Sequence, residues 1–169
     1  MIVAKTWRGK RYAVLGLARS GAATVRALVD GGAGVVAWDL DEAKREALAD
    51  SVQEQWVDLD NVNVRFDPLD DLAGFDALVV SPGVPLNTHP LAAVAREAGT
   101  AIIGDIELFA QARVDLPAHK VVGITGTNGK STTTALVHHI LKTAGIPTLM
   151  GGNIGLPILE QEALPEGGV

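Results

Sequence analysis

The segment Thr125-Gly126-Thr127-Asn128-Gly129-Lys130-Ser131-Thr132 constrains this chain more than any other. It follows the apolar run Lys120-Val121-Val122-Gly123-Ile124, which reads as a strand. It precedes a helical pattern from Ser131 to Ala144, with Leu136, Val137, Ile140, Leu141 and Ala144 on one face and Gly145 as its stop. A strand feeding a helix through a glycine-rich turn belongs to an α/β layer fold. The turn also has a definite chemistry. Glycines let the backbone curl so that several N–H groups point inward, and the helix start adds partial positive charge, a combination that holds polyphosphate. Gly126, Thr127, Asn128, Gly129, Lys130, Ser131 and Thr132 are therefore the candidate phosphate-binding residues of a nucleoside triphosphate site. Lys130 reaches toward the outer phosphates and is the candidate catalytic side chain, and the Ser131 hydroxyl is the candidate magnesium ligand. The common loop pattern has a glycine where Ile124 stands here, with Gly123 one residue earlier and Gly126 two later. An ordinary strand-to-helix turn with a solvated Lys130 is the plain alternative.

The rest of the chain reads as a second, earlier α/β unit. Arg11 to Leu15 is a strand, Gly16 to Gly21 a turn, and Ala22 to Asp30 a helix. Gly34 to Trp38 is a second strand, followed by a helix from Asp41 to Ala49 with a solvated face. A short strand falls near Val62 to Phe66, and a firmer one at Ala77 to Val80, closed by Ser81-Pro82-Gly83. Leu91 to Ala98 is a helix stopped by Gly99, Ala101 to Ile103 a strand, and Gly104 opens a helix to about Arg113. Strands alternating with helices imply a parallel sheet covered on both faces. The expected architecture is a Rossmann-like domain over residues 1–104, then the beginning of a P-loop α/β domain over 105–169, with Thr148 to Met150 as a further strand. A single strand-helix-strand unit leaves a sheet face and edge open, so the second domain is expected to be incomplete.

Composition excludes several classes. With 47% hydrophobic and 20% charged residues the chain is globular rather than disordered. Its net charge of -6, with no basic stripe, argues against nucleic acid. Cysteine is absent, which removes disulfides and thiolate metal sites and fits the cytosol. No apolar run approaches the roughly 20 residues of a membrane span, and the N-terminus is not a signal peptide. His138-His139 has no acidic or cysteine partners nearby and reads as helix surface, not a metal site.

Gly16-x-Ala18-x-x-Gly21 is a degraded dinucleotide fingerprint, and Asp39 stands at the end of the second strand, where an acid would meet a ribose or base. Ala18 in place of the middle glycine hinders close approach to a pyrophosphate. The turn by itself is thus compatible with an NAD(P)-type domain, with a non-catalytic nucleotide-binding module, or with no ligand.

Taken in order, the loop Thr125–Thr132, the Gly16 turn, Ser81-Pro82-Gly83, the run Gly104-Asp105-Ile106-Glu107-Leu108-Phe109 and the loop Gly151-Gly152-Asn153-Ile154-Gly155 resemble the Mur ligase family, in the branch that adds D-glutamate. The resemblance covers nearly the whole chain. It implies an ATP- and Mg2+-dependent amide ligase of peptidoglycan synthesis, cytoplasmic and monomeric when complete. Such an enzyme joins D-glutamate to UDP-N-acetylmuramoyl-L-alanine through an acyl phosphate. It also implies that the first domain holds the uridine substrate: Arg19, Ser20 and Gly83 at the diphosphate, Asp39 and the Leu40 backbone at the uracil, and Asn153 from the central domain. Leu40 and Asp41 depart from members with a hydroxyl and a basic residue there, and Arg19 replaces an apolar residue. The family's D-glutamate-binding domain and further magnesium ligands have no counterpart in these residues, so the polypeptide is expected not to ligate by itself.

Overall fold

The computed structural model describes residues 1–55 (side chains of 1–52), 63–152 and 154–169. Its framework is one sheet of β1 (Arg11–Leu15), β2 (Gly34–Trp38), β3 (Val64–Arg65), β4 (Ala77–Val80) and β5 (Ala101–Ile103), in the order β3-β2-β1-β4-β5. Every neighbouring pair is parallel. The helices are α1 (Arg19–Asp30), α2 (Glu42–Gln55), α3 (Leu91–Ala98), α4 (Asp105–Ala112) and α5 (Lys130–Thr143).

Side chains alternate across the sheet, as a period of two requires. Tyr12, Val14, Val35, Ala37, Ala77 and Val79 face one way and pack with Val25 and Leu28 of α1, Leu48 and Val52 of α2, and Leu108 and Ala112 of α4. Ala13, Leu15, Val36 and Leu78 face the other way, onto Leu69, Leu72, Leu91 and Ala95. The central strands are buried on both faces, which explains their continuous apolar runs. Burial also pushes the Tyr12 hydroxyl up to about 12, with Asp76 adding to the effect. Trp7 is fully buried beside α1, and Trp38 joins the second cluster, on the face opposite to Tyr12 and Val14. Trp56 and Val62 lie outside the described residues.

Several bounds differ from the sequence reading. Arg19, Ser20 and Gly21 are not turn residues but the first turn of α1, because extended Ala18 caps the helix three residues early. Helix α2 runs on to Gln55, with Asp41 outside it as an N-cap whose carboxylate accepts the Ala43 N–H at 3.2 Å. The strands expected at Lys120–Ile124 and Thr148–Met150 form no ladder. Their backbones instead bond to the short segment Gly167–Val169: Gly167 donates to Ala118 and Val169 to Pro147, while Lys120 donates to Gly168 and Leu149 to Val169. These scattered bonds do not repeat along either run, so no ladder is built. Helix α5 has the expected bounds to within a residue, yet Leu136 and Ile140 on its apolar face are each 56% exposed.

Candidate functional site

The strand order reverses beside β1: its chain neighbour β2 lies on one side and β4 on the other. In open parallel sheets the crevice at such a switch point, outside the carboxyl ends of the strands, is where ligands bind. Here the crevice is framed by the turn after β1 and the turn after β4. Gly16 has φ +87°, and a Cβ on Gly21 would stand 1.8 Å from the Gly16 carbonyl oxygen, so the turn closes only with glycine at that position. Three contacts hold it from both sides. Gly16 N–H donates to the Trp38 carbonyl at 2.8 Å, Leu17 N–H donates to Asp39 Oδ2 at 2.7 Å, and Ser81 Oγ donates to the Gly16 carbonyl at 2.7 Å.

A cleft of about 470 Å³ opens above this turn, lined by Ala18, Arg19 and Ser20, by Ser81, Pro82 and Gly83, and by Gly152, Gly155 and Pro157. Three glycine-bearing segments, far apart in sequence, thus converge. The start of α1 faces the cleft with no acidic residue in its first turn and no side-chain cap, which leaves its dipole available to an anion. Gly83 has open space where a Cβ would stand. Arg19, Ser20 and Gly83, expected at a diphosphate, are brought together. Asn153 lies outside the described residues, and the loop is represented in the cleft by its glycines.

Asp39 sits behind this cleft rather than in its lining. Its Oδ2 accepts the Leu17 N–H, its Oδ1 accepts the Asp41 N–H at 3.0 Å, and Lys44 Nζ lies 3.6 Å from Oδ2. Burial pushes the carboxyl up, but the two N–H donors and the Lys44 charge outweigh it and hold it below its ordinary value. The acid therefore orders the turn. Leu40 next to it is 85% exposed. The Arg45 guanidinium lies over the Trp38 ring at 4.3 Å and donates to the Asp39 carbonyl at 2.6 Å. Neither Lys44 nor Arg45 was expected at this site. Their only sequence signal is helical spacing from the strand end.

The second site is the turn before α5. Gly129 caps the helix with φ 77°, and Thr133 N–H donates to its carbonyl at 2.9 Å. Lys130 Nζ folds back to donate to the Gly126 carbonyl and, at 3.4 Å, to that of Thr127. The loop residues Thr125 to Thr132 are solvent-facing. Lys130, Ser131 and Thr134 border a cavity of about 480 Å³ whose other walls are largely apolar, including Val121, Val122, Phe109 and Leu149. The donor set fits a polyphosphate: a helix start without acid in its first turn, a lysine, and the hydroxyls of Ser131 and Thr132. It fits magnesium through a hydroxyl alone, since no cluster of three His, Cys, Asp or Glu occurs among the described residues. That suits an ion which keeps its waters and binds chiefly through nucleotide phosphates. His138 contacts Thr148 Oγ1 at 3.4 Å and joins no such cluster.

Residues 10–104 match the Mur ligase MurD-like N-terminal domain, and residues 124–165 match the Mur ligase middle domain. The chain belongs to the Mur ligase family. Within that family its N-terminal domain is MurD-like. Over its whole length it is 62% identical to the UDP-N-acetylmuramoylalanine–D-glutamate ligases of Sphingopyxis alaskensis and Novosphingobium aromaticivorans, and 56% identical to that of Zymomonas mobilis. It spans 37%, 36% and 39% of the lengths of these relatives. No helix among the described residues is long and apolar enough to cross a membrane.

Proposed function

We propose that this chain is the uridine-substrate-binding and ATP-loop portion of a cytoplasmic, monomeric ligase that adds D-glutamate to UDP-N-acetylmuramoyl-L-alanine in peptidoglycan synthesis. Residues 1–104 hold the uridine substrate, and residues 105–169 begin the ATP-binding unit. The observation that carries the reading is the convergence of Arg19, Ser20, Gly83 and Gly152 on one cleft at the switch point, with a separate lysine-bearing polyphosphate turn in the same chain. A single dinucleotide site has no use for the second turn, and an amide ligase needs both.

In the reaction, a carboxylate oxygen of the substrate attacks the γ-phosphorus of ATP and ADP leaves. The amine of D-glutamate then attacks the acyl carbon, and inorganic phosphate departs as the amide forms. Such chemistry demands positioning and charge neutralisation more than covalent work by the protein. The N–H groups of Gly126 to Gly129 orient the triphosphate, with Thr127, Asn128 and Thr132 beside it. Lys130 exchanges its loop carbonyls for phosphate oxygens and offsets charge on the transferred group. Magnesium, when bound, supplies further neutralisation, and Ser131 is the hydroxyl that would hold it. On the substrate side, Arg19, Ser20 and Gly83 receive the diphosphate, Asp39 and the Leu40 backbone sit at the base, and Asn153 adds a contact from the Gly151–Gly155 loop.

Titration calorimetry on the 169-residue chain tests this. Separate, saturable heats are expected for UDP-N-acetylmuramoyl-L-alanine and for ATP with magnesium. Saturable binding of NADH with no heat for the uridine compound would overturn the reading.

A further inference from the structure

We infer that Gln161 is the positioning residue that sets the width of the diphosphate cleft, by stapling the Gly151–Gly155 loop at both ends. The inference rests on the reading of that cleft as the uridine-diphosphate site. The start of α1 forms one wall of the cleft, and Gly152 and Gly155 contribute to another. The loop leaves the chain after Met150 and rejoins it at Leu156. Gln161 Nε2 donates to the Met150 carbonyl at 3.0 Å and to the Leu156 carbonyl at 3.2 Å. A primary amide has two N–H bonds, so one side chain satisfies both flanking carbonyls at once. Gln161 is only 8% exposed, so water is poorly placed to take over either bond.

Two further observations tie this staple to the other wall. Gln161 N–H bonds to the Ile158 carbonyl at 3.3 Å, and Ile158 and Leu159 are buried in the cluster that holds α1 and α4. Ile2 N–H fastens the Leu159 carbonyl at 3.0 Å from the outside. The path from one wall to the other therefore runs from the loop through Gln161 and Ile158 to α1. On the loop side, a Cβ on Gly151 would stand 2.9 Å from Gln161 Nε2 and 2.9 Å from Ile158 Cδ1. Glycine at 151 lets the loop seat fully on the amide. Gln161 does not line the cleft, so its influence on a ligand passes through the loop it holds.

The test uses the 169-residue chain with Gln161→Met, which keeps length and bulk but donates nothing, and independently Gly151→Ala, which presses the loop off the amide. Calorimetry gives the Kd of each ligand, and NMR gives amide hydrogen exchange at Gly152 and Gly155. In both variants UDP-N-acetylmuramoyl-L-alanine should bind about tenfold more weakly, in keeping with the loss of buried hydrogen bonds; ATP is not the control, because Gly151 and Gly152 also border the cavity beside Lys130. Exchange at Gly152 and Gly155 should accelerate, with β1 and β4 amides unaltered. Unchanged glycine exchange, or an unchanged Kd for the uridine compound, overturns the staple. If the wild-type chain does not bind the uridine compound, the functional reading fails instead, and the exchange data still decide the role of Gln161.

Discussion

Ser81 Oγ donates to the carbonyl oxygen of Gly16 across 2.7 Å, joining residues 65 positions apart. The bond ties the end of β4 to the turn after β1, and Ser81 N–H reinforces it by donating to the Leu15 carbonyl at 3.0 Å. With the Asp39 carboxylate bonded to Leu17 N–H from the β2 side, the Gly16 turn is fixed by both neighbouring strands. A diphosphate arriving at α1 would meet donors already in place, and little ordering cost would be set against its binding.

Ser81→Ala removes the hydroxyl and leaves the carbonyl of buried Gly16 short of a donor. The expected loss is about 1 kcal/mol of folding stability, read as a lower urea midpoint with an unchanged slope. Affinity for the uridine substrate should fall with it, because the turn that presents α1 is loosened. Calorimetry on the folded variant separates the two effects.

Gly21→Ala and Gly83→Ala should behave oppositely, since Gly21 closes the turn beneath the cleft and Gly83 borders the cleft itself. A Cβ on Gly21 would lie 1.8 Å from the Gly16 carbonyl oxygen, a contact that can be relieved only by opening the turn. About 3 kcal/mol of destabilisation is expected, at the upper end of what overpacking costs. At Gly83 a Cβ meets nothing within 4 Å, so thermal stability should stay near wild type. The methyl there projects into space a diphosphate needs, and weaker binding of the uridine compound at unchanged melting temperature is the expected signature.

Two aspartates predict opposite pH dependences. The Asp39 carboxyl is held below its ordinary value of 3.8, so its contribution to stability is fully present above that value and is lost as pH falls through the lower folded one. Asp39→Asn should therefore be less stable than wild type at neutral pH, with the gap closing in strong acid. Asp105 is raised above 3.8, chiefly by burial, with the Ile106 N–H opposing. Its ionised form weighs against folding once pH passes the ordinary value, so Asp105→Asn should melt higher than wild type at neutral pH. The advantage should vanish below the ordinary carboxyl range. Thermal melts of the two variants against wild type across the acid range check both signs.

Much of this was legible in the sequence, and the exceptions have a common cause. The continuous apolar runs of β1, β2 and β4 and the helical spacing in α1 and α3 are local signals, and they located the sheet and its helices. Gly16, Gly21 and Asp39 could be read as one unit because a strand-to-helix turn and the next strand end lie at a predictable distance. The Ser81–Gly16 bond and the two Gln161 bonds could not be read, since nothing in a glutamine's neighbours says which carbonyls it will meet. The burial of Ile158 and Leu159 against α1 is of the same kind. Lys120–Ile124 shows the reverse case: a run with strand composition forms no ladder, and Lys120 N–H bonds instead to the Gly168 carbonyl.

Lys130 offers the sharpest separation of fold from function. Its ammonium donates to the Gly126 and Thr127 carbonyls of an exposed turn, and bonds of this kind at the surface contribute little to stability. Lys130→Met should thus leave the urea midpoint unchanged within about 0.5 kcal/mol. The same substitution removes the charge that would face the outer phosphates, where charge-assisted bonds are roughly twice as strong as neutral ones. ATP affinity should fall about tenfold or more, at the level of a lost bond to a charged group. ADP, which lacks the γ-phosphate, should lose less, and affinity for UDP-N-acetylmuramoyl-L-alanine in the separate cleft should not change. Calorimetry with the three ligands on one variant checks all of these, and an equal loss for ATP and the uridine compound would show that Lys130 acts on the fold instead of on the phosphates.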